Sequence, residues 1–378
     1  MYPGASFPVS VFGRSIFSGR CLKKTLRKAI ASAIAKKSKE RLVEYFIDEN
    51  FPRAAQFACG VSRGTQKNYL AIMEYLRLNP THIVTLMDVR NAFNEVSLEL
   101  VMLGIERLGP EGDATRDSLL WFLRAFYANN SELSYFLDSG ERTTVTRHTG
   151  VSQGCPLGGT MFCLATYPLV KEAIDSPETK DVTYLGYADD NCLAGEMGQA
   201  MKAVAAVDDK FRTRAGLEHK CFKVLRGAEA PSPDEIKAQW AKEGLNSDLL
   251  EVIPDGFDTG DCLRKPEDPR GGDFGARLVG GPVGSPSYMK KFVEDIAAVD
   301  LEILGCIESF GEKHLPEAMK AIKLCMIPRI QFSLSMVPLD IARDFFTRWI
   351  LQSHLQQTVS TVLRLKNPSR KTRRNNGD

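Results

Sequence analysis

The chain has few of the residues that build disulfide frameworks or zinc modules. Its 378 residues include nine cysteines, an odd number, and none of them forms a C-x-x-C pair. The five histidines are isolated from one another, so the sequence does not indicate a metal site built on histidine. Several cysteines lie among apolar neighbours, which predicts buried, reduced thiols: Cys21, Cys59, Cys163, Cys306 and Cys325.

Long apolar segments are also missing. The N-terminus lacks the apolar core of a signal peptide. No apolar run approaches the roughly 20 residues that a membrane-spanning helix needs. We therefore expect an intracellular protein without a membrane partner.

The net charge of only +2 conceals two basic segments. The first runs from Arg14 to Arg41 and contains Glu40 as its single acid. The second consists of Arg364, Lys366, Arg370, Lys371, Arg373 and Arg374. Clustered cations favour a polyanionic partner, because phosphate contacts release bound counterions. The alternative for either segment alone is a solvated helix face or a solubilising tail.

Helical and strand patterns both occur, which favours an α+β or α/β fold. Apolar residues at helical spacing predict helices over residues 21–47, 68–78, 98–108, 115–126, 159–170 and 197–215, and from 288 to about 365. Short runs rich in β-branched residues predict strands over residues 83–87, 182–187, 191–194 and 221–225, and a hairpin over 134–146. Residues 228–275 are rich in proline, glycine and aspartate, which predicts a surface insertion with a short helix near 234–243.

Three acids stand at positions suited to metal chemistry. Asp88 ends a predicted strand, and Asp189 and Asp190 lie in a tight turn between two others. Phosphoryl transfer with two metal ions needs hard oxygen ligands on rigid elements, and strand ends and hairpin tips of one sheet supply them. Each acid taken alone is better explained as a turn residue than as a catalytic one.

Three segments contain these acids or lie between them in the chain: DVRNAFN at Asp88–Asn94, QGCPL at Gln153–Leu157 and YADD at Tyr187–Asp190. They resemble motifs A, B and C of one enzyme family, the reverse transcriptases of non-LTR (LINE-type) retrotransposons. Residues 56–64 look like the fingers segment of these enzymes, residues 281–285 like the primer grip, and residues 327–329 like the thumb. Three motifs in this order are far more specific than any one of them.

The resemblance implies an α+β right-hand polymerase with fingers, palm and helical thumb. The palm is an antiparallel sheet with helices. The expected regions are fingers over 1–80, palm over 81–227, a variable insertion over 228–276, primer grip and thumb over 277–365, and a basic tail over 366–378.

The resemblance also implies the site residues and the partners. Asp88 and Asp189 would bind two Mg²⁺ ions, with Asp190 as a supporting carboxylate and the Val89 carbonyl as a further ligand. Gln153 and Gly154 would line the nucleotide pocket. Motif D is shortened here, so Lys220 is a candidate proton donor to pyrophosphate and Lys223 is the alternative. The implied partners are an RNA template, a DNA primer, their RNA–DNA hybrid and dNTPs.

Two other functions compete with reverse transcription. RNA-dependent RNA polymerases typically place a second acid where this chain has Phe93, and a bulky apolar ring there should collide with a ribose 2′-hydroxyl. The second alternative is a degenerate or domesticated palm that binds RNA without polymerising. The simplest sign of it would be the loss of a metal-binding carboxylate, and all three carboxylates are present.

Retrotransposons of this kind often carry an endonuclease, RNase H or zinc knuckle, and the chain shows no signature of these domains. We therefore expect further domains outside this chain, as in a fragment or a truncated product. The family resemblance favours the nucleus over the cytoplasm.

Overall fold

The computed structural model describes residues 19–127, 131–137, 139–257, 275–284, 286–311, 314–337, 341 and 343. The predicted basic tail and the end of the predicted thumb lie outside them. The helices are α1 (Gly19–Lys37), α2 (Lys39–Phe46), α3 (Gly64–Leu78), α4 (Ala92–Glu95), α5 (Leu98–Glu106), α6 (Ala114–Tyr127), α7 (Gly158–Ile174), α8 (Met197–Lys210), α9 (Pro233–Lys242), α10 (Pro286–Gly311), α11 (Leu315–Ala321) and α12 (Ile327–Leu334). The strands are β1 (Ala54–Gln56), β2 (Ile83–Val89), β3 (Ser131–Phe136), β4 (Arg142–Arg147), β5 (Thr183–Tyr187), β6 (Asp190–Gly195), β7 (His219–Gly227), β8 (Leu250–Phe257), β9 (Gly275–Leu278) and β10 (Gly281–Gly284).

A six-stranded sheet in the order β1-β5-β6-β2-β7-β8 forms the centre of the structure. Its inner strands β5, β6, β2 and β7 pair antiparallel, while β1 and β8 join the two edges parallel to their neighbours. Two separate hairpins, β3–β4 and β9–β10, accompany it. The predicted mixture of helices with a mainly antiparallel sheet is confirmed.

Each face of the central sheet contributes to a different hydrophobic core. Alternate residues of a strand point to opposite faces, so Ile83 joins one core and Val84 the other. The larger core packs the sheet against α5 to α9. The smaller core packs it against α3 and the β9–β10 hairpin. A functional group on the second face therefore lies on the same side of the sheet as the predicted primer grip.

Local signals explain several helix boundaries. The Ser97 hydroxyl caps α5 by accepting from the Leu100 amide at 3.3 Å, as the sequence predicted. Ser232 and Glu235 form a reciprocal capping box at the start of α9. The predicted helix over 197–215 is α8 followed by a π-helical turn at Phe211–Ala215. The predicted helix pair over 21–47 is α1 and α2.

The prediction for residues 228–276 needs a correction. The short helix is present as α9, but Leu250–Phe257 is the edge strand β8 rather than surface loop. Pro254 misled the prediction because proline is normally excluded from inner strands. An edge strand tolerates it, and the register between β7 and β8 shifts between Val224 and Arg226, where β8 carries the extra residues.

The cysteine prediction is only partly right. Cys59 and Cys163 are buried and free, whereas Cys306 and Cys325 are exposed, and the side chain of Cys21 is not described. Cys306 and Cys325 lie on helical segments with an exposed face, so apolar neighbours in the sequence did not imply burial. Among the helices that the structure describes, none combines the length and apolarity needed to cross a membrane.

Candidate active site

The strand register brings the three predicted acids to one end of the central sheet. Met87 pairs with Asn191 between β2 and β6, so Asp88 and Asp190 come next on these two adjacent strands. Tyr187 pairs with Asp190 across the β5–β6 hairpin, which leaves Ala188 and Asp189 as its two-residue turn. Two strands and one turn thus place three carboxyl groups beside one another, although about 100 residues of chain separate Asp88 from Asp189.

The carboxyl groups influence one another electrostatically. Burial raises the pKa of Asp189, and the Asp88 carboxylate raises it further against a backbone hydrogen bond that lowers it. Partial desolvation, together with the charges of Asp189 and Asp88, raises the pKa of Asp190 to about 6, although Asp190 is exposed at the surface. Crowded like charges that resist ionisation are stabilised by a nearby cation.

The donor set of this cluster suits Mg²⁺, which prefers oxygen ligands and usually takes one or two carboxylates from a protein. Within the described residues, no three Asp, Glu, His or Cys side chains converge as a preformed metal site. Mutual repulsion favours side-chain positions that keep the carboxylates apart. The three residues fit the ion by their donor chemistry and by their adjacent positions on β2, β6 and the β5–β6 turn.

Two further groups contact Asp88. Lys220 Nζ lies 3.8 Å from Asp88 Oδ2, and the Cys221 thiol lies 3.9 Å from the same oxygen. Lys223, the alternative to Lys220, instead pairs with Glu251 at 2.9 Å. Lys220 is therefore the lysine that the structure places against a predicted metal ligand. Cys221 was not predicted as a site residue, because its proximity depends on the β2–β7 register.

A cleft of about 340 Å³ opens beside the carboxylates. Asp88, Asp190 and Lys223 line it on the sheet side, and Arg277 and Tyr288 line it on the side of β9 and α10. The guanidinium of Arg277 also stacks on the Phe292 ring, 4.8 Å from its centroid. Acidic and basic side chains thus line the same cleft.

Val89 and Phe93 follow Asp88 closely in the chain but differ in environment. The Val89 side chain is buried, and the register with β7 shifts between Asp88 and Val89, where β7 carries Lys220 as an extra residue. Phe93 lies in the short helix α4 and is half-buried against the fully buried Phe162, with ring centroids 5.3 Å apart. One side of the Phe93 ring is therefore held by the core while the other remains accessible.

Gln153 and Gly154 are exposed on the loop that leads into α7. Gly154 has a φ of +75°, a backbone conformation that favours glycine, and no other atom of the described residues lies close to its missing Cβ. The loop is anchored to motif A, because the Val151 amide donates to the Phe93 carbonyl at 2.6 Å. Predicted residues of motifs A and B are thereby brought together.

The basic helix α1 contacts the same loop. Arg27 donates to the Ser152 hydroxyl at 3.1 Å and stacks 4.6 Å from the centroid of the Tyr127 ring. The Tyr127 hydroxyl accepts from the Ser152 amide at 3.1 Å. The sequence predicted phosphate binding for this helix, and Arg27 was missed as a support of the motif B loop because the two segments are distant in the chain.

The chain resembles known proteins over little more than half of its length. A family model described as reverse transcriptase (RNA-dependent DNA polymerase) matches residues 20–227. No curated protein matches the sequence.

Two solved structures of telomerase are similar to the chain. Telomerase from Candida albicans, in complex with a TWJ fragment of telomeric RNA, is 12% identical with a TM-score of 0.41, over 56% of this chain and 38% of that chain. Apo telomerase from Candida tropicalis is 12% identical with a TM-score of 0.40, over 53% of this chain and 38% of that chain. The chain thus spans well under half the length of either telomerase chain.

Proposed function

The chain belongs to the reverse transcriptase (RNA-dependent DNA polymerase) family, and from this premise we propose that it copies an RNA template into DNA. The predicted fold class, an α+β right-hand polymerase, is confirmed by the family match and by the sheet with its helices. One observation carries the proposed activity: the β2–β6 register sets Asp88 beside Asp190, with Asp189 in the adjoining turn.

Asp88 and Asp189 would hold two Mg²⁺ ions, with Asp190 as a supporting carboxylate and the Val89 carbonyl as a further ligand. When bound, the ions would activate the primer 3′-hydroxyl and neutralise charge on the triphosphate and the leaving pyrophosphate. The protein contributes rigidity, because Asp88 and Asp190 belong to strands paired on both sides. Lys220, 3.8 Å from Asp88, would donate a proton to pyrophosphate from the edge of this cluster.

The motif B loop and α4 would bind the incoming nucleotide. Gln153 and Gly154 are exposed beside Phe93, to which their loop is hydrogen-bonded through Val151. The Phe93 ring, backed by Phe162, would lie beneath the sugar and collide with a 2′-hydroxyl. This steric argument favours dNTPs, and hence DNA synthesis, over the RNA polymerase alternative.

The nucleic acid partners would be the RNA template, the DNA primer and the hybrid they form. Helix α1 presents exposed lysines at Lys28, Lys36 and Lys37, suited to phosphates and not to base recognition. The cleft beside Asp88 and Asp190, with Arg277 on its far wall, would receive the primer end. In this assignment residues 1–80 are fingers, 81–227 palm, and 277–365 primer grip and thumb.

We also propose that the chain derives from a non-LTR retrotransposon. The support is the form of its motifs, DVRNAFN, QGCPL and YADD, in this order. Further domains on a longer polypeptide and a nuclear location would follow from that origin. Target-site cleavage by a longer form of the protein would support this origin.

Primer extension by the purified protein tests the proposal. A DNA primer on an RNA template should be extended with dNTPs and Mg²⁺, and much less with rNTPs. Extension with rNTPs at equal rate would favour the RNA polymerase alternative. Tight RNA binding without extension under either condition would instead favour the degenerate palm.

A further inference from the structure

We infer that Gln56 is a positioning residue that fixes the turn carrying Asp189 and Asp190, an inference that rests on the proposed function. Gln56 ends strand β1 and is fully buried. Its side-chain amide bonds to both backbone groups of Ala188: the Ala188 amide donates to Gln56 Oε1 at 2.9 Å, and Gln56 Nε2 donates to the Ala188 carbonyl at 3.3 Å. One side chain thus holds the first residue of the turn from both ends.

Ala188 needs such support because of its backbone conformation. Its φ is +56°, in the left-handed region that residues other than glycine adopt at a cost. Strained backbone persists only where the surroundings over-determine it, and it concentrates at functional sites. The two hydrogen bonds between Gln56 and Ala188 act directly on this strained residue.

The amide of Gln56 uses all of its hydrogen-bonding capacity. Oε1 also accepts from the Ala58 amide at 3.2 Å, and Nε2 also donates to the Tyr184 hydroxyl at 3.2 Å. A carboxamide offers two acceptor sites and two donors, and all four are occupied here. A fully satisfied buried polar group has one orientation, so the clamp is rigid.

A second arm of the network reaches Asp189. The Tyr184 hydroxyl donates to Asn191 Oδ1 at 2.7 Å, and Asn191 Nδ2 donates to the Asp189 carbonyl at 3.0 Å. Asn191 is itself 1% exposed. Gln56, Tyr184 and Asn191 therefore hold the backbone of both turn residues, Ala188 and Asp189.

Gly186 makes room for this network. A Cβ at this position would lie 2.1 Å from the Tyr184 hydroxyl oxygen and 2.9 Å from Gln56 Nε2. Gly186 is also the register partner of Gln56 between β1 and β5. The absence of a side chain at Gly186 thus leaves space for the amide of Gln56, about 130 residues earlier in the chain.

The network leaves the carboxylates free while it fixes the backbone beneath them. Ligands of a metal ion must be held by supporting hydrogen bonds, and the loss of such support typically lowers metal affinity or activity by about 10- to 100-fold. We expect a loss in that range when Gln56 is removed, with no loss of nucleic acid affinity, since Gln56 is buried.

The test compares Gln56→Met, which keeps the size of the side chain but not its hydrogen bonds, with Thr179→Val. Thr179 is also buried and its hydroxyl donates to the Ala173 carbonyl, but it lies beyond the far end of α7. Binding of Mn²⁺ is measured by electron paramagnetic resonance without nucleotide, alongside thermal unfolding and primer–template affinity. Single-turnover primer extension is measured on the same samples.

If Gln56 positions the turn, the Gln56→Met variant should bind Mn²⁺ about 10- to 100-fold more weakly and extend primers correspondingly more slowly. Thr179→Val should keep the metal affinity and rate of the natural protein, even if both variants lose thermal stability. Unchanged metal affinity in a folded Gln56→Met protein would overturn the inference. If the natural protein itself neither binds Mn²⁺ at this site nor extends primers, the proposed function fails instead.

Discussion

The Phe93 ring packs against the core on one side only. A ring that selects nucleotides needs such an accessible side, whereas a ring that serves packing alone does not. The Phe93 ring rests on Phe162, while part of it remains accessible. We expect Phe93→Val to raise the use of rNTPs relative to dNTPs by about tenfold or more, toward the roughly 10²-fold limit of an apolar pocket that rejects a hydroxyl. Single-nucleotide addition on one RNA template, with each nucleotide type, measures this ratio.

Phe51→Val is the control for Phe93→Val. It removes another half-buried ring, one that lies against Lys171 and Arg53. The nucleotide preference of this variant should not change. If Phe93→Val lowers both activities equally, the ring serves packing alone, and the argument for DNA over RNA synthesis loses its steric support.

Single residues show how far the sequence can predict the site. Asp88, Asp189 and Asp190 were predicted because short motifs name them, and their proximity follows from strand register. Gln56 and Arg27 act on motif residues more than 100 positions away, through contacts that only the packed fold creates. Gly154 was named by its motif alone, and its positive φ, a further reason for glycine there, became visible only in the folded loop.

At the scale of elements, the crossing of α5 and α7 depends on Gly104. A Cβ there would lie 2.0 Å from the Leu164 carbonyl oxygen, a backbone atom that cannot rotate away. We expect Gly104→Ala to lower the free energy of unfolding by about 1–3 kcal/mol, the usual cost of overpacking a core. Urea denaturation followed by circular dichroism measures the change.

Gly305→Ala is the matched substitution. Gly305 lies on an exposed face of α10 with no atom near its missing Cβ, so alanine should stabilise the helix by about 0.5–1 kcal/mol. Opposite signs for the two variants are the expected result. Equal effects would mean that α5 and α7 do not pack as closely as described.

Elements with strong internal patterns were predictable, and those defined by distant partners were not. The helices from α5 to α8 carry apolar residues at helical spacing, and they were found close to their predicted positions. Strand β8 contains Pro254 and Gly256, and it is a strand only because β7 lies beside it. Its pairing with β7 therefore outweighs the low strand propensity of its own proline and glycine.

At the scale of the whole molecule, an ion pair connects the segment after α2 to α7. Lys171 Nζ lies 3.1 Å from Asp48 Oδ2, with 30% and 29% of the two side chains exposed. The hydrogen bond from Lys171 lowers the pKa of Asp48 below its ordinary value of 3.8. Asp48→Asn should lower the free energy of unfolding at pH 7 by no more than about 1 kcal/mol, since partly exposed pairs are weak.

The pH dependence of this pair follows from the sign of the pKa change. A carboxyl group with a lowered pKa in the folded state stabilises the fold above its unfolded pKa, and the contribution fades as the pH falls through the folded value. The difference between the natural protein and Asp48→Asn should therefore shrink as the pH is lowered below about 4. Asp209→Asn, which removes an exposed pair with Arg212, should show no measurable difference at any of these pH values. A difference for Asp48→Asn that does not shrink as the pH falls below about 4 would contradict the ion-pair explanation.

In the proposed function, Asp88 and Asp189 bind the metal ions that catalyse DNA synthesis on an RNA template. Single-turnover addition of one dNTP to a primer on RNA, with Mg²⁺, tests it most directly with Asp88→Asn and Asp189→Asn. Asp181→Asn, at the opposite end of the sheet from Asp189, is the control. We predict that each of the first two variants loses at least about 10²-fold in rate while it still folds and binds primer–template, since several kcal/mol of transition-state stabilisation depend on each ligand. Addition by Asp189→Asn at the rate of the natural protein would contradict the account.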